Sequence, residues 1–377
     1  MKLTTKLGAV MLTMPLLISS STFSLQKDNL FVNGIENKEI VQQTEIHMEK
    51  QQISFEFCQE IMKKFIEKIM KELEQSKEAK TETVEEISLV DERNKYIKED
   101  IFIKDKVEVH HEKFQPSIEY INKLEQIIKQ YPKNISFYVS SLDNQISFGY
   151  NPDQKYSAAS SIKAPYTLFC YKQIEAGRAT LDEQITYNKK YYSTGSGVIK
   201  NNPKASYTIG ELLYNVIHYS DNIAYAMLYN RFGVEGYNEM LDEIGCEYLK
   251  LTKYSEWGFA SPKEMALIWN EIYYYKDTEL GAKFFNDLLN AKYDFVKQSL
   301  NGYDVAHKSG WSQRGYNDHA IVFGDTPYFI SIMIPYPENS ENYQQVFRNI
   351  VQICEQIMNE YNLHLQSNNI QMVKTLK

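Results

Sequence analysis

From Phe114 onward, two β-rich runs come before a block of helical segments and three more come after it, and that order constrains the fold most. Ile135–Val139 and Ile146–Tyr150 flank Asp143-Asn144, a pair suited to a hairpin turn. Apolar periodicity predicts helices over Ser117–Tyr131, Ser160–Ala176, Ile209–Tyr219, Asn222–Arg231, Pro262–Tyr275 and Leu280–Ala291. Val305–Trp311, His319–Phe323 and Tyr328–Ile334 read as strands, and Tyr343–Tyr361 as a closing helix. Strands at both ends of one segment leave their ladders open unless they meet. The expectation is an α+β domain, with one five-stranded antiparallel sheet, flanking helices and an all-helical subdomain from the middle of the chain.

Residues before Phe114 have a different character. Lys2 and Lys6 precede an apolar stretch, Leu7–Ile18, and then Ser19-Ser20-Ser21-Thr22. A basic start, a short apolar run and small residues form the layout of an export signal, assigned to residues 1–24. That run is too short to span a bilayer comfortably, and no cysteine follows it to carry a lipid. The chain is therefore expected outside the cytoplasmic membrane or on its outer face. Residues 25–113 are rich in Glu, Lys and Gln, with Gly34 the one glycine and no proline, and read as a charged helical or disordered extension. Within it Phe57, Ile61, Phe65, Ile69 and Leu73 recur every four residues on one face, so residues 50–75 are a candidate for self-association or surface attachment. The folded domain is placed at 114–364, with a C-terminal tail at 365–377.

Three short motifs carry the chemistry: Ser160-Ser161-Ile162-Lys163, Ser220-Asp221-Asn222 and Lys308-Ser309-Gly310. At a helix start, Ser160 and Lys163 lie one turn apart on one face, where backbone N–H groups favour developing negative charge. A lysine desolvated near another cation can lose its proton at neutral pH and act as base toward a serine. Ser220-Asp221-Asn222 falls between two helical patterns, where a tight turn aims a hydroxyl and an amide into a cleft. Gly310, in a strand, removes a side chain where a ligand backbone approaches. Each motif alone is weak. S-x-x-K spacing recurs at Ser24 and Lys27, S-D-N also makes an ordinary helix cap, and a strand lysine also serves solubility. Their joint order, each on its expected element, points to a nucleophilic serine with amine partners and a carboxylate site.

These motifs resemble those of the penicillin-recognising serine hydrolases, specifically the class A β-lactamases, whose set is S-x-x-K, S-D-N and K-[ST]-G. The flanks Tyr156–Pro165, Leu181–Tyr187, Ser261–Ala266 and Ala306–Trp311 are similar to that family's landmarks, and the resemblance covers about 114–364. It implies that Ser160 attacks and is acylated, Lys163 takes its proton, and Ser220 passes a proton to the leaving nitrogen. It also implies that Asn222 orients substrate, that Lys308 and Ser309 engage a carboxylate, and that the N–H groups of Ser160 and Trp311 form an oxyanion hole.

One departure stands out. No E-x-x-L-N, which supplies the family's deacylating glutamate, lies between Asn222 and Ser261. Glu256 is the nearest substitute, with Glu247 behind it. Slow deacylation is expected, so a D,D-peptidase or penicillin-binding protein stands as the alternative to a β-lactamase. A non-catalytic surface protein on the same fold stands as a third reading. The expected partners are a β-lactam or D-alanyl peptide, and peptidoglycan. A net charge of −8 argues against nucleic acid. No metal or cofactor is implied. Cys58, Cys170, Cys246 and Cys354 show no zinc spacing and are expected as buried free thiols. His307 and His319 read as structural, and Gly195-Ser196-Gly197 as a loop on the cleft rim.

Overall fold

The computed structural model describes residue 64 and residues 89–375, apart from 132–134, 314 and 336–339. Residues 1–24, expected as an export signal, and most of the extension, including Cys58 and nearly all of the 50–75 face, lie outside the described residues.

The sheet forms as the segment order requires, but it holds six antiparallel strands rather than five. Its members are β1 (Val107–His110), β2 (Ser136–Ser141), β3 (Ser147–Tyr150), β8 (Asp304–Ser312), β9 (Gly315–Phe323) and β10 (Tyr328–Pro335), in the spatial order β1-β3-β2-β10-β9-β8. Two short two-stranded sheets supply the missing numbers: β4 (Tyr156–Ser157) pairs with β7 (Phe259–Ala260), and β5 (Gln184–Thr186) with β6 (Ser206–Thr208).

The sixth strand is a correction to the expected sheet, and it comes from residues assigned to the extension. β1 covers the edge of β3 from Val107↔Tyr150 to His110↔Ser147. The helix α1 (residues 89–99) and the turn after it are tied down by buried polar groups. Asn94 donates to Glu271 at 2.8 Å, and Asp100 accepts from the hydroxyls of Tyr138 and Ser147. Charged composition hid this segment, whose attachment combines these buried polar contacts with a few apolar residues, Val90, Ile97 and Val107, spaced among charged ones.

Both faces of the sheet are buried, so alternate strand residues enter different cores. Phe137 and Val139 join one apolar cluster, with Ile330, Ile332 and Ile334. Tyr138, Phe329 and Met333 join the other. The first cluster is closed by α2 (Ile118–Gln130) and the last helix, α9 (Ser340–Thr375). That helix continues well past its predicted end at Tyr361, through residues expected as a tail. The second cluster is closed by α3 (Lys163–Glu175), α4 (Ile209–His218), α5 (Asn222–Phe232), α6 (Glu235–Ile244), α7 (Pro262–Tyr275) and α8 (Glu279–Leu289). Cys170, Cys246 and Cys354 are buried free thiols, as expected.

Candidate active site

Ser160 lies in a 3₁₀ turn, Ala159–Ile162, that runs straight into α3. Ala159 has φ +46° and Ser220 φ +52°, in the left-handed region that non-glycine residues avoid. Both are buried in the chain yet line the cleft, so the left-handed backbone is found at the floor of the site.

Lys163 is fully buried beneath Ser160. Its Nζ lies 2.6 Å from the Ser220 carbonyl and 2.6 Å from Asn222 Oδ1, with Ser160 Oγ at 3.2 Å and Ser220 Oγ at 3.3 Å. Burial first, and the nearby Lys308 second, push its pKa well below that of an ordinary lysine, against opposing pulls from Asp221 and Glu256. A neutral amine has two hydrogens and one lone pair. The two short contacts go to oxygens that can only accept, so in the neutral form they take both hydrogens and leave the lone pair for the hydroxyl of Ser160.

The Ser220 hydroxyl sits between two amines, because Lys308 Nζ lies 3.0 Å from Ser220 Oγ. Lys308 also donates to the Ser309 carbonyl at 2.8 Å. It is buried, and burial lowers its pKa to about 8 although Asp318 pulls it upward. Ser309 donates its hydroxyl to the Tyr293 carbonyl at 2.5 Å. Gly310 lets β8 press against the nucleophile turn. A Cβ there would lie 2.5 Å from the Ser161 nitrogen and 2.9 Å from that of Ser160. Trp311 follows on the same strand, with its ring stacked against Tyr316. The three motifs therefore meet in one place.

Asp221, unassigned in the sequence reading, organises two segments at once. One carboxylate oxygen caps α5 by accepting from Ile223 and Ala224, and the other accepts from Val198 at 2.6 Å and Ile199 at 2.9 Å. This clasps the 193–199 loop onto the S-D-N turn. Ser196 then donates to the Ser220 carbonyl at 2.7 Å, and a Cβ at Gly195 would strike the Asn222 amide. The rim loop is thus part of the site's frame. A glycine pair next to a small-residue run was the available signal.

Glu256 is half-buried and lines the same cleft as Ser160, a cavity of about 940 Å³. Glu247 is exposed and pairs with Lys250 at 2.7 Å, away from the cleft lining. His307, on β8, lies 3.6 Å from Asp318, with both side chains fully buried. Burial opposes the charge on Asp318, but His307 and the N–H groups of Phe295 and Val296 outweigh it and lower its pKa. His319 contacts the Ser331 hydroxyl at 2.7 Å, and burial lowers its pKa to about 3, so it is neutral. Neither histidine faces the cleft lining. Among the described residues no cluster of His, Cys, Asp and Glu could hold a metal ion.

Residues 119–360 match the profile of the beta-lactamase enzyme family. Beta-lactamase SME-1 of Serratia marcescens is 21% identical over 147 residues, which is 38% of this chain and 49% of that protein, so the match spans about half the relative's length. Two solved structures share the fold. An acyl-enzyme complex of a PBP-A variant with penicillin G superposes with a TM-score of 0.60 at 21% identity, covering 65% of this chain and 98% of the other. A beta-lactamase from Sphaerobacter thermophilus does so with a TM-score of 0.59 at 17% identity, again over 65% and 98%.

Proposed function

The chain belongs to the beta-lactamase enzyme family, and we propose that it is a serine hydrolase acylated at Ser160 by β-lactams, which it releases slowly. The arrangement around Lys163 carries this reading. Its Nζ lies 3.2 Å from Ser160 Oγ, and in the neutral form that the reading requires, two acceptor oxygens at 2.6 Å take both hydrogens and leave the lone pair for Ser160. In the proposed reaction Ser160 Oγ bonds to the carbonyl carbon as its proton passes to Lys163. The C–N bond then breaks, and the leaving nitrogen takes a proton through Ser220. The N–H groups of Ser160 and Trp311 hold the oxyanion, and Lys308 with Ser309 receives the substrate carboxylate. Losing one oxyanion donor costs about 2.7–4 kcal/mol in reactions of this type.

Water then cleaves the ester on Ser160. Glu256 is the proposed base for that step, since it is the carboxylate lining the cleft. The absent E-x-x-L-N segment supports slow release and keeps a D,D-peptidase acting on peptidoglycan stem peptides as the second reading. Action outside the membrane, after removal of residues 1–24, belongs to the same proposal, as does attachment through 50–75.

Labelling with a fluorescent penicillin tests it. The protein should take up about one label per chain, and Ser160→Ala none. Equal labelling of the two would remove the serine chemistry and favour a non-catalytic role. Loss of label within minutes supports a hydrolase, and retention over hours supports the peptidase.

A further inference from the structure

Besides its oxygen partners, Lys163 has two ring faces. Its Nζ lies 5.2 Å from the centroid of Trp257 and 5.8 Å from that of Tyr225. Both distances fall within about 6 Å, the reach at which the negative face of a ring attracts an ammonium. The rings touch each other, with centroids 5.4 Å apart and planes tilted by 45°. Tyr225 stands on α5, three residues after Asn222, and Trp257 lies in the segment between α6 and α7.

That segment is fastened on both sides of the indole. The Tyr225 hydroxyl donates to the Glu256 carbonyl at 2.8 Å, and the Ala158 N–H donates to the Gly258 carbonyl at 3.1 Å. Phe259 and Ala260 then pair with Ser157 and Tyr156, the residues that lead into the nucleophile turn. Trp257 itself is half-buried, packs on the core and lines the cleft. Burial holds the Tyr225 hydroxyl well above its usual pKa, so both rings are uncharged. The charges that face Lys163 are Lys308 from β8, Asp221 from the S-D-N turn and Glu256 from the fastened segment. Burial and Lys308 favour the neutral amine, and the two carboxylates favour the ammonium. A ring face joins the second side without bringing a charge.

Resting on acylation at Ser160, we propose that Trp257 is a positioning residue whose ring face sets the pH at which Lys163 becomes available as a base. A side chain of similar bulk without the face would release the base at lower pH and leave the carboxylate site untouched.

The second-order acylation constant of benzylpenicillin, followed across pH, tests this. Its acid limb reports the base of the free enzyme, and its alkaline limb Lys308. Trp257→Leu should move the acid limb down by about one pH unit, and Trp257→Phe should restore most of that distance. The alkaline limb should stay in place in both. A limb midpoint does not depend on how much of the protein is folded. Fluorinated tryptophans withdraw electron density from the ring face at nearly constant shape, so they cover the case in which Trp257→Leu does not fold. The acid limb of wild type should fall in step with the number of fluorines, and that of Trp257→Phe, which retains Trp269 and Trp311, should not move. An acid limb that is unmoved or raised in Trp257→Leu overturns the proposal, and so does a fluorine series without a trend. If no protein is acylated at any pH, the serine chemistry itself has failed. Tryptophan emission, taken as wild type minus Trp257→Phe, then decides the ring contact. A step with pH that Lys163→Met abolishes upholds it, and a flat difference, or a step that survives Lys163→Met, ends it.

Discussion

The ammonium of Lys308 and the hydroxyl of Ser220, 88 positions apart in sequence, lie 3.0 Å apart in the folded chain. Ser220 Oγ is also 3.3 Å from Lys163, so one hydroxyl links the two buried amines. In the proposed reaction this hydroxyl relays the proton from Lys163 to the leaving nitrogen, and the charge on Lys308 holds the substrate carboxylate.

Acylation should therefore depend on pH through Lys308. Its pKa is lowered to about 8 by burial, so the group is charged below that pH and neutral above it. A charge-assisted bond of roughly 1.5–3 kcal/mol corresponds to about tenfold to a hundredfold in rate constant. The acylation constant for benzylpenicillin should fall by that factor as pH rises from 7 to 10. The benzylpenicillin methyl ester, without the carboxylate, should show no such fall. A parallel decline for both compounds would detach the effect from Lys308.

Gly310→Ala should damage chemistry more than stability. The added Cβ meets backbone atoms of Ala158, Ser160 and Ser161 at 2.5–2.9 Å, so the nucleophile turn must move away from β8. Displacing one oxyanion donor predicts a loss of about 10²–10³ in acylation rate. Stopped-flow measurement with a chromogenic cephalosporin checks it, and a rate within threefold of wild type would show that β8 can yield.

Asp221→Ala should be among the most destabilising single changes in the domain. It strands four backbone N–H groups, two at the start of α5 and two in the 193–199 loop. Loss of a charged cap and its loop contacts is expected to cost about 3–5 kcal/mol. Urea unfolding measures this. A cost below about 1 kcal/mol would mean that water replaces the carboxylate at little penalty.

Glu256→Gln should leave acylation by penicillin within about twofold of wild type and lengthen the life of the acyl-enzyme by about tenfold or more, the range for removal of a general base. Mass spectrometry of the intact protein after a pulse of penicillin follows the adduct. An unchanged lifetime would exclude Glu256 as the base.

A chain beginning at residue 114 should fold less stably than one beginning at residue 83. The shorter chain bares the edge of β3 and removes the partners of Glu271 and Tyr138. Exposed strand edges promote association. Sedimentation and thermal unfolding of the two chains should show the shorter one aggregating and melting at lower temperature. Identical behaviour would make residues 89–110 dispensable.

Five strands of the main sheet, the helices other than α1 and α6, and the three motifs were legible because each is a local pattern. A strand needs alternating or continuous apolar residues, a helix needs its period, and a motif needs only adjacent positions. Ser160, Lys163, Ser220, Asn222, Lys308 and Gly310 were all legible in this way. The sixth strand was not, since the alternation in Val107–His110 is only four residues long inside a charged run, and its pairing with Ser147–Tyr150 is not visible locally. Asp221 as a double clasp and Tyr293 as the acceptor for Ser309 were equally hidden, because each depends on a contact between segments 16 to 23 positions apart.

The sequence alone determined which groups are available: a hydroxyl, two amines and a glycine, in an order that one sheet can gather. Tertiary structure alone decided their burial and direction. Burial strips water from Lys163 and Lys308 and lowers the pKa of both, and two carbonyl oxygens accept from the first at 2.6 Å beside Ser160. Desolvation and hydrogen-bond direction are properties of a packed neighbourhood, and no local stretch of residues encodes them.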